Sequence, residues 1–97
     1  MDLVETLAFQ AVAKERHAQN LKWGVQNHSM EWWLVVLLEE VGEFSRAVLE
    51  TRFGGLCGGI EEVKKELTQV AAVAVAMLEC LGRNGEACLK KAEEAAK

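Results

Sequence analysis

Leu38–Glu50, LEEVGEFSRAVLE, and Glu61–Met77, EEVKKELTQVAAVAVAM, are the two stretches whose reading decides the fold of this chain. Both lack proline, both are built from helix-forming residues, and both carry polar oxygens three positions apart: Glu40 with Glu43, and Glu66 with Gln69. On a helix, residues at that spacing share one face and stand a single turn apart. Two such helices set face to face would form an oxygen-lined cup.

At about 100° per residue, Glu66 falls within an arc made by Val63, Val70, Val73 and Met77, which is the arc that should meet the core. Glu40 is flanked in the same way by Trp33, Val36, Phe44 and Ala47. A carboxylate on an apolar arc must protonate, pair with a base or hold a cation, because burying it alone is unfavourable by at least several kcal/mol. Neither arc contains a basic residue, so the cup reads as a metal site. Glu39, Glu43, Arg46 and Glu50 form a polar stripe alongside. For Glu39 and Glu50 a plain solvated face is a full alternative, and Glu43, at the seam, fits either description.

The rest of the composition limits what surrounds the cup. A chain of 97 residues makes one domain, residues 1–97, with 51% hydrophobic residues and no proline; alternating strand patterns bounded by turn clusters are missing, so the expected class is all-α. A net charge of −4 without a basic run argues against duplex nucleic acid as a partner, though not against a nucleotide. The apolar run Val70–Leu78 is too short to span a bilayer, and the amino terminus lacks a basic flank followed by an apolar segment. No membrane partner and a cytoplasmic location are expected. Cys57, Cys80 and Cys88 have no C-x-x-C spacing and read as reduced thiols, with Cys80 packed on a helix.

In chain order, Asp2 and Glu5 resemble a capping box that starts a first helix running to about Asn20. Its end is crowded with Lys14, Glu15, Arg16, His17, Gln19 and Lys22. Arg16 and Lys22 are the local cations suited to a phosphate, and Trp23, Gln26 and His28 add a stacking surface and hydrogen-bonding groups in a short connection. A solvated helix end and a core tryptophan would explain the same residues. The histidines lack metal-ligand spacing.

Ser29 caps a second helix to about Arg52, with Trp33 turned to the core and Trp32 on the Glu39/Glu43 side, where an aromatic face would suit a nucleobase. Paired glycines, Gly54-Gly55 and Gly58-Gly59, enclose Leu56 and Cys57 and supply a turn. A third helix is expected from about Ile60 to Leu81, ended by Gly82. Its stretch Val70–Leu78 is apolar all round and so must be covered on every side, at the centre of a bundle or in a subunit interface. Asn84 should cap a fourth helix, with Leu89 and Ala92 inward and Lys90, Lys91, Glu93 and Glu94 outward. No repeat or linker interrupts the chain.

The pattern EExxE at Glu39-Glu40-Val41-Gly42-Glu43, followed after an interval by ExxQ at Glu66–Gln69, resembles the EExxE…ExxD motif of the MazG-like, all-α nucleoside triphosphate pyrophosphohydrolases. The segment ERHAQNLKWGVQNH, Glu15–His28, is similar to the one that precedes this motif in small family members. The resemblance covers about Glu15 to Leu81. It implies a four-helix bundle assembling as a homodimer or homotetramer, Mg2+ (with Mn2+ as a possible substitute) at Glu40, Glu43, Glu66 and Gln69, and cleavage of a nucleoside triphosphate to monophosphate and pyrophosphate. Glu39 would orient the attacking water or take its proton, and Arg16, Lys22, Trp23, Gln26 and Trp32 would meet the substrate. Gln69 departs from the pattern: it stands where the family has aspartate, removing one charge, and Asp2 is the only aspartate in the chain. The alternative reading is a catalytically weak or inactive helical oligomer that binds a nucleotide or a protein; a hydrolase acting on a different phosphoanhydride is a third.

Overall fold

The computed structural model describes residues 1–54 and 59–90 and is all-helical over them. Helix α1 spans Leu3–Trp23, α2 spans Met30–Phe53 and α3 spans Gly59–Asn84, followed by a 3-10 turn at Gly85–Leu89. Expectations for Gly55, Leu56, Cys57 and Gly58, and for Lys91, Ala92, Glu93 and Glu94, fall outside the described residues.

Local chemistry sets the ends. The Asp2 carboxylate accepts from the Glu5 backbone N–H at 2.8 Å, and the Ser29 hydroxyl accepts from that of Trp32 at 3.3 Å, so the caps of α1 and α2 form where the sequence places them. Helix α1 continues to Trp23, beyond the expected end at Asn20, because Gly24 at φ +72° turns its N–H back onto the Asn20 carbonyl. Trp23 is therefore in the last helical turn and not in the connection. Gly54, at φ +80°, closes α2 in the left-handed conformation.

Gly82 does not end α3. A glycine inside a helix is unfavourable by only about 1 kcal/mol relative to alanine, and the residues beyond it are fastened from outside. Arg83 donates from Nε to Asn27 Oδ1 at 3.0 Å and from Nη2 to the Gln26 carbonyl at 3.2 Å, and Asn84 Nδ2 donates to the same Asn27 oxygen at 2.9 Å. With its side chain held there, Asn84 caps nothing. Gly85 at φ +55° then starts a 3-10 turn, so the described part of the expected fourth helix, up to Lys90, is not α-helical, and that turn buries Cys88 while leaving Leu89 exposed.

Helices α2 and α3 form the main contact and α1 lies against α3. The core is Trp33 with Val73, Ala76, Cys80 and Cys88, bordered by Met30, Val36, Leu37, Met77 and Leu81. Cys80 is fully buried, with its sulfur 3.5 Å from that of Cys88 as two free thiols. The small side chain of Ala76 lets the Trp33 ring close onto α3. Coverage is one-sided. Leu78 on α3, Leu34, Val35 and Leu38 on α2, and Leu3, Leu7 and Phe9 on α1 are exposed, and α1 has no buried residue. Among the described residues no helix is long and apolar enough to cross a membrane.

The neighbouring tryptophans give a direct test of this packing. Trp33 is 4% exposed and Trp32 55%. Trp33→Ala should destabilise the chain by about 3–5 kcal/mol, whereas Trp32→Ala should shift a urea unfolding curve by less than about 1 kcal/mol.

Candidate functional site

The register of α2 against α3 brings three carboxyl groups together. One oxygen from each of Glu40, Glu43 and Glu66 lies within 4.8 Å of the others. Glu40 and Glu43 are one turn apart on α2, and Glu66 faces them from α3. Glu40 and Glu66 are half-buried and Glu43 is exposed, so the group is a shallow cup with one rim open to water.

The electrostatics are those of like charges held close. Burial, then the charges of Glu43, Glu66, Glu39 and Glu15, push the Glu40 carboxyl above its ordinary pKa. Burial, then the charge of Glu43 and a hydrogen bond that the protonated Glu66 donates to Glu62, push Glu66 up, and Lys65 opposes this. Glu40 Oε2 is shielded from solvent and has no hydrogen-bond partner. Among the described residues, no ion pair within 4.0 Å includes any of the three: Lys64 and Lys65 pair with Glu61 and Glu62, and Arg46 pairs with Glu50. Hard oxygen donors from two helices with an unsatisfied buried oxygen fit a small divalent cation.

Gln69, one turn beyond Glu66, donates from Nε2 to Glu15 Oε1 at 3.3 Å. Glu39 is exposed on α2 next to Glu40, near enough for its charge to be felt there. The residues expected to meet the substrate are placed elsewhere. Arg16 donates from Nε to Glu79 at 2.8 Å, from Nη1 to Gln19 at 2.8 Å and from Nη2 to Asn20 at 3.0 Å, which ties α1 to α3. Glu79 is thirteen residues from Glu66, about 20 Å of helix. Lys22 Nζ sits 4.6 Å above the Trp23 ring at the end of α1. Gln26 lies in the connection clasped by Arg83. Trp32 is exposed, with its ring centroid 5.6 Å from that of His28, eight residues and about 12 Å along α2 from Glu40. Trp32 and Glu40 are thus at different heights on the helix. Two open clefts, one of about 440 Å³ beside Arg16, Phe9 and Val75 and one of about 350 Å³ beside His28 and Cys88, are not lined by the acidic trio.

Glu15 is the residue that sequence reasoning passed over. It sits in the charged end of α1, where nothing in spacing separates it from Lys14 or His17, and only the crossing of α1 over α3 brings it to Gln69. The chain matches no protein-family model, no curated protein and no solved structure.

The raised pKa of Glu40 predicts a pH-dependent stability. The folded state holds this proton more tightly than the unfolded chain, so metal-free stability falls as pH rises from the ordinary carboxylate range through the raised value, and the penalty is complete above it. Glu40→Gln removes the penalty. Metal-free Glu40→Gln should unfold at a higher temperature than the parent near neutral pH, with the advantage vanishing on acidification, as followed by circular dichroism across a pH series.

Proposed function

We propose that this chain is a divalent-metal-dependent nucleoside triphosphate pyrophosphohydrolase of the MazG-like kind that works as a homo-oligomer. The observation that carries this reading is the convergence of Glu40, Glu43 and Glu66 from two helices around a shielded, unpartnered Glu40 oxygen. In this reading Glu40, Glu43 and Glu66 hold Mg2+ or Mn2+, with the Gln69 carbonyl as a fourth oxygen. The bound ion would offset charge developing on the phosphate oxygens and favour attack by water.

Glu39, solvent-facing beside the trio, orients that water and takes its proton. The water oxygen bonds to the α-phosphorus as the bond to the bridging oxygen breaks, and pyrophosphate leaves with that oxygen. Lys65 is the cation nearest the trio, whereas Arg16 is held at Glu79 and Trp32 stands beside His28. Lys22, Trp23, Gln26 and Trp32 serve best when supplied across an interface, and Arg16 does so only if its bonds to Glu79, Gln19 and Asn20 open. The exposed apolar residues of α1, α2 and α3 provide surface for a homodimer or homotetramer.

The second reading, a nucleotide- or protein-binding oligomer without activity, is favoured by Gln69, whose amide is engaged by Glu15 and brings no charge of its own. Incubation with each ribo- and deoxyribonucleoside triphosphate and Mg2+, with pyrophosphate and orthophosphate assayed separately, distinguishes the two. Pyrophosphate is the expected product; orthophosphate indicates a different phosphoanhydride reaction, and neither product favours the second reading. Glu66→Ala should abolish hydrolysis while barely moving the metal-free unfolding midpoint. A loss of roughly 3–5 kcal/mol would instead mark Glu66 as a member of a buried ion pair. In sedimentation at micromolar concentration the protein should run as a dimer or larger, and a stable folded monomer would remove the oligomeric part of the proposal.

A further inference from the structure

Two thiols meet at the opposite end of α3 from the acidic trio. Cys80 lies four residues from the end of α3 and Cys88 on the five-residue 3-10 turn that follows, and their sulfurs are 3.5 Å apart. A disulfide bond is about 2 Å long, so an approach of roughly 1.5 Å joins them. The two differ in access. Cys80 is fully buried, whereas Cys88, 4% exposed, lines the open cleft of about 350 Å³ together with Asn27, His28 and Lys90. They differ also in charge. Burial, then the neighbouring Cys80, push the Cys88 thiol above its ordinary pKa, and its Sγ donates to the Cys80 carbonyl at 3.7 Å. Burial opposes ionisation of Cys80 as well, but the donors around its sulfur outweigh that and hold it below its ordinary value: Trp33, Cys88 and Asn84, whose Nδ2 is 3.6 Å away. Trp33 Nε1 is shielded from solvent without a hydrogen-bond partner, and a thiolate at Cys80 is the acceptor that would satisfy it.

We infer that Cys80 and Cys88 are a reversible redox pair, oxidised to a disulfide by a hydroperoxide that enters the cleft beside Cys88, and that this bond fastens the turn Gly85–Leu89 to α3. In the first step the Cys88 sulfur attacks one peroxide oxygen. The O–O bond breaks, and an alcohol, or water when the oxidant is hydrogen peroxide, leaves with the thiol proton, so that Cys88 becomes a sulfenic acid. In the second step the Cys80 sulfur attacks that of Cys88, the S–O bond breaks, and the hydroxyl leaves as water with the Cys80 proton. Two thiols have lost two electrons and two protons, and the peroxide has taken them up. The attacking species is the thiolate, so the raised pKa of Cys88 makes the first step slow. The short distance between the sulfurs makes the second fast, so the disulfide accumulates and the sulfenic acid does not. A dithiol reductant reverses the reaction by thiol–disulfide exchange.

The test needs no variant for its main result. The parent chain is treated with hydrogen peroxide, remaining thiols are alkylated, and a tryptic digest is mapped by mass without reduction. Trypsin cuts after lysine and arginine, so Cys57, Cys80 and Cys88 fall in three separate peptides, 53–64, 66–83 and 84–90. Peptide 66–83 should be found linked to 84–90, from protein that still has the mass of one chain, and the link should vanish on treatment with dithiothreitol. Alkylation of both peptides, a bridge to Cys57, or a link found only between two chains would each overturn the pairing. The oxidised chain should unfold at a higher temperature than the reduced one, and an unchanged or lower midpoint would overturn the fastening of the turn. Cys80→Ser, with helicity checked by circular dichroism, should trap the sulfenic acid as a dimedone adduct on peptide 84–90 that the parent does not give. An adduct-free Cys80→Ser would overturn Cys88 as the sulfur that meets the peroxide.

Discussion

The closure of the Trp33 ring onto α3 is the contact on which the rest depends. It occurs beside Val73 and the small residue Ala76, where no bulky side chain holds the helices apart. Because α2 and α3 run in opposite directions, this contact also fixes what lies further along. From Trp33 to Glu40 is seven residues, and from Val73 back to Glu66 is seven residues; both intervals are two turns, about 10 Å. Pinning Trp33 at Val73 therefore sets Glu40 opposite Glu66. The acidic cup follows from a hydrophobic register, and the apolar contact bears the repulsion between carboxylates that would otherwise part the helices. A large side chain at position 76 would disturb the trio without touching it.

That dependence explains which parts could be read from the sequence. Helix starts were legible because a cap is local chemistry: Asp2 and Ser29 each bond an N–H three residues on. The inward turn of Trp33, Glu40 and Glu66 was legible because helical angle is local too, and the pairing of two apolar arcs follows from it. Height along a neighbouring helix is not local. Trp32 shares an angular sector with Glu39 and Glu43 but stands about 12 Å from Glu40, a difference that a helical projection discards. The same holds for Arg16, whose partner Glu79 lies 63 positions away. The end of α3 was misjudged because glycine carries only a weak preference against helix, and that preference yields to three hydrogen bonds from Arg83 and Asn84 to the α1–α2 connection.

Charge is distributed unevenly along the bundle. Near Glu66, Glu40 and Glu43 repel one another and Glu40 has an oxygen without a partner. Near Glu79, Arg16 satisfies three acceptors and Arg83 clasps the neighbouring connection. The repulsion between carboxylates is confined to the first end, whereas a shielded polar atom without a hydrogen-bond partner occurs at both, Glu40 Oε2 at the first and Trp33 Nε1, packed beside Cys80, at the second. Three carboxylates brought together without a base among them lower the stability of the folded chain, and a base or an apolar residue at one of the three positions would relieve that cost.

The position of α1 links this polarity to assembly. It is amphipathic only weakly, buries nothing fully, and is held to α3 chiefly by polar contacts at its second half, through Glu15 and Arg16. Leu3, Leu7 and Phe9 in its first half face water. A helix fixed at one end by side-chain hydrogen bonds and apolar at the other gains stability when a second surface covers the apolar end, because the transfer of those side chains from water is worth roughly 1.5–3 kcal/mol each. In such an assembly the Lys22–Trp23 end of one α1 is no longer restricted to the carboxylates of its own chain. The roughly 20 Å of α3 between Glu66 and Glu79, where Arg16 is held, would then cease to be the relevant distance. Under the proposed function, oligomer formation and completion of the site would be the same event, and one assembly would account for both the exposed apolar residues of α1 and the distance of Arg16 and Trp32 from the acidic trio.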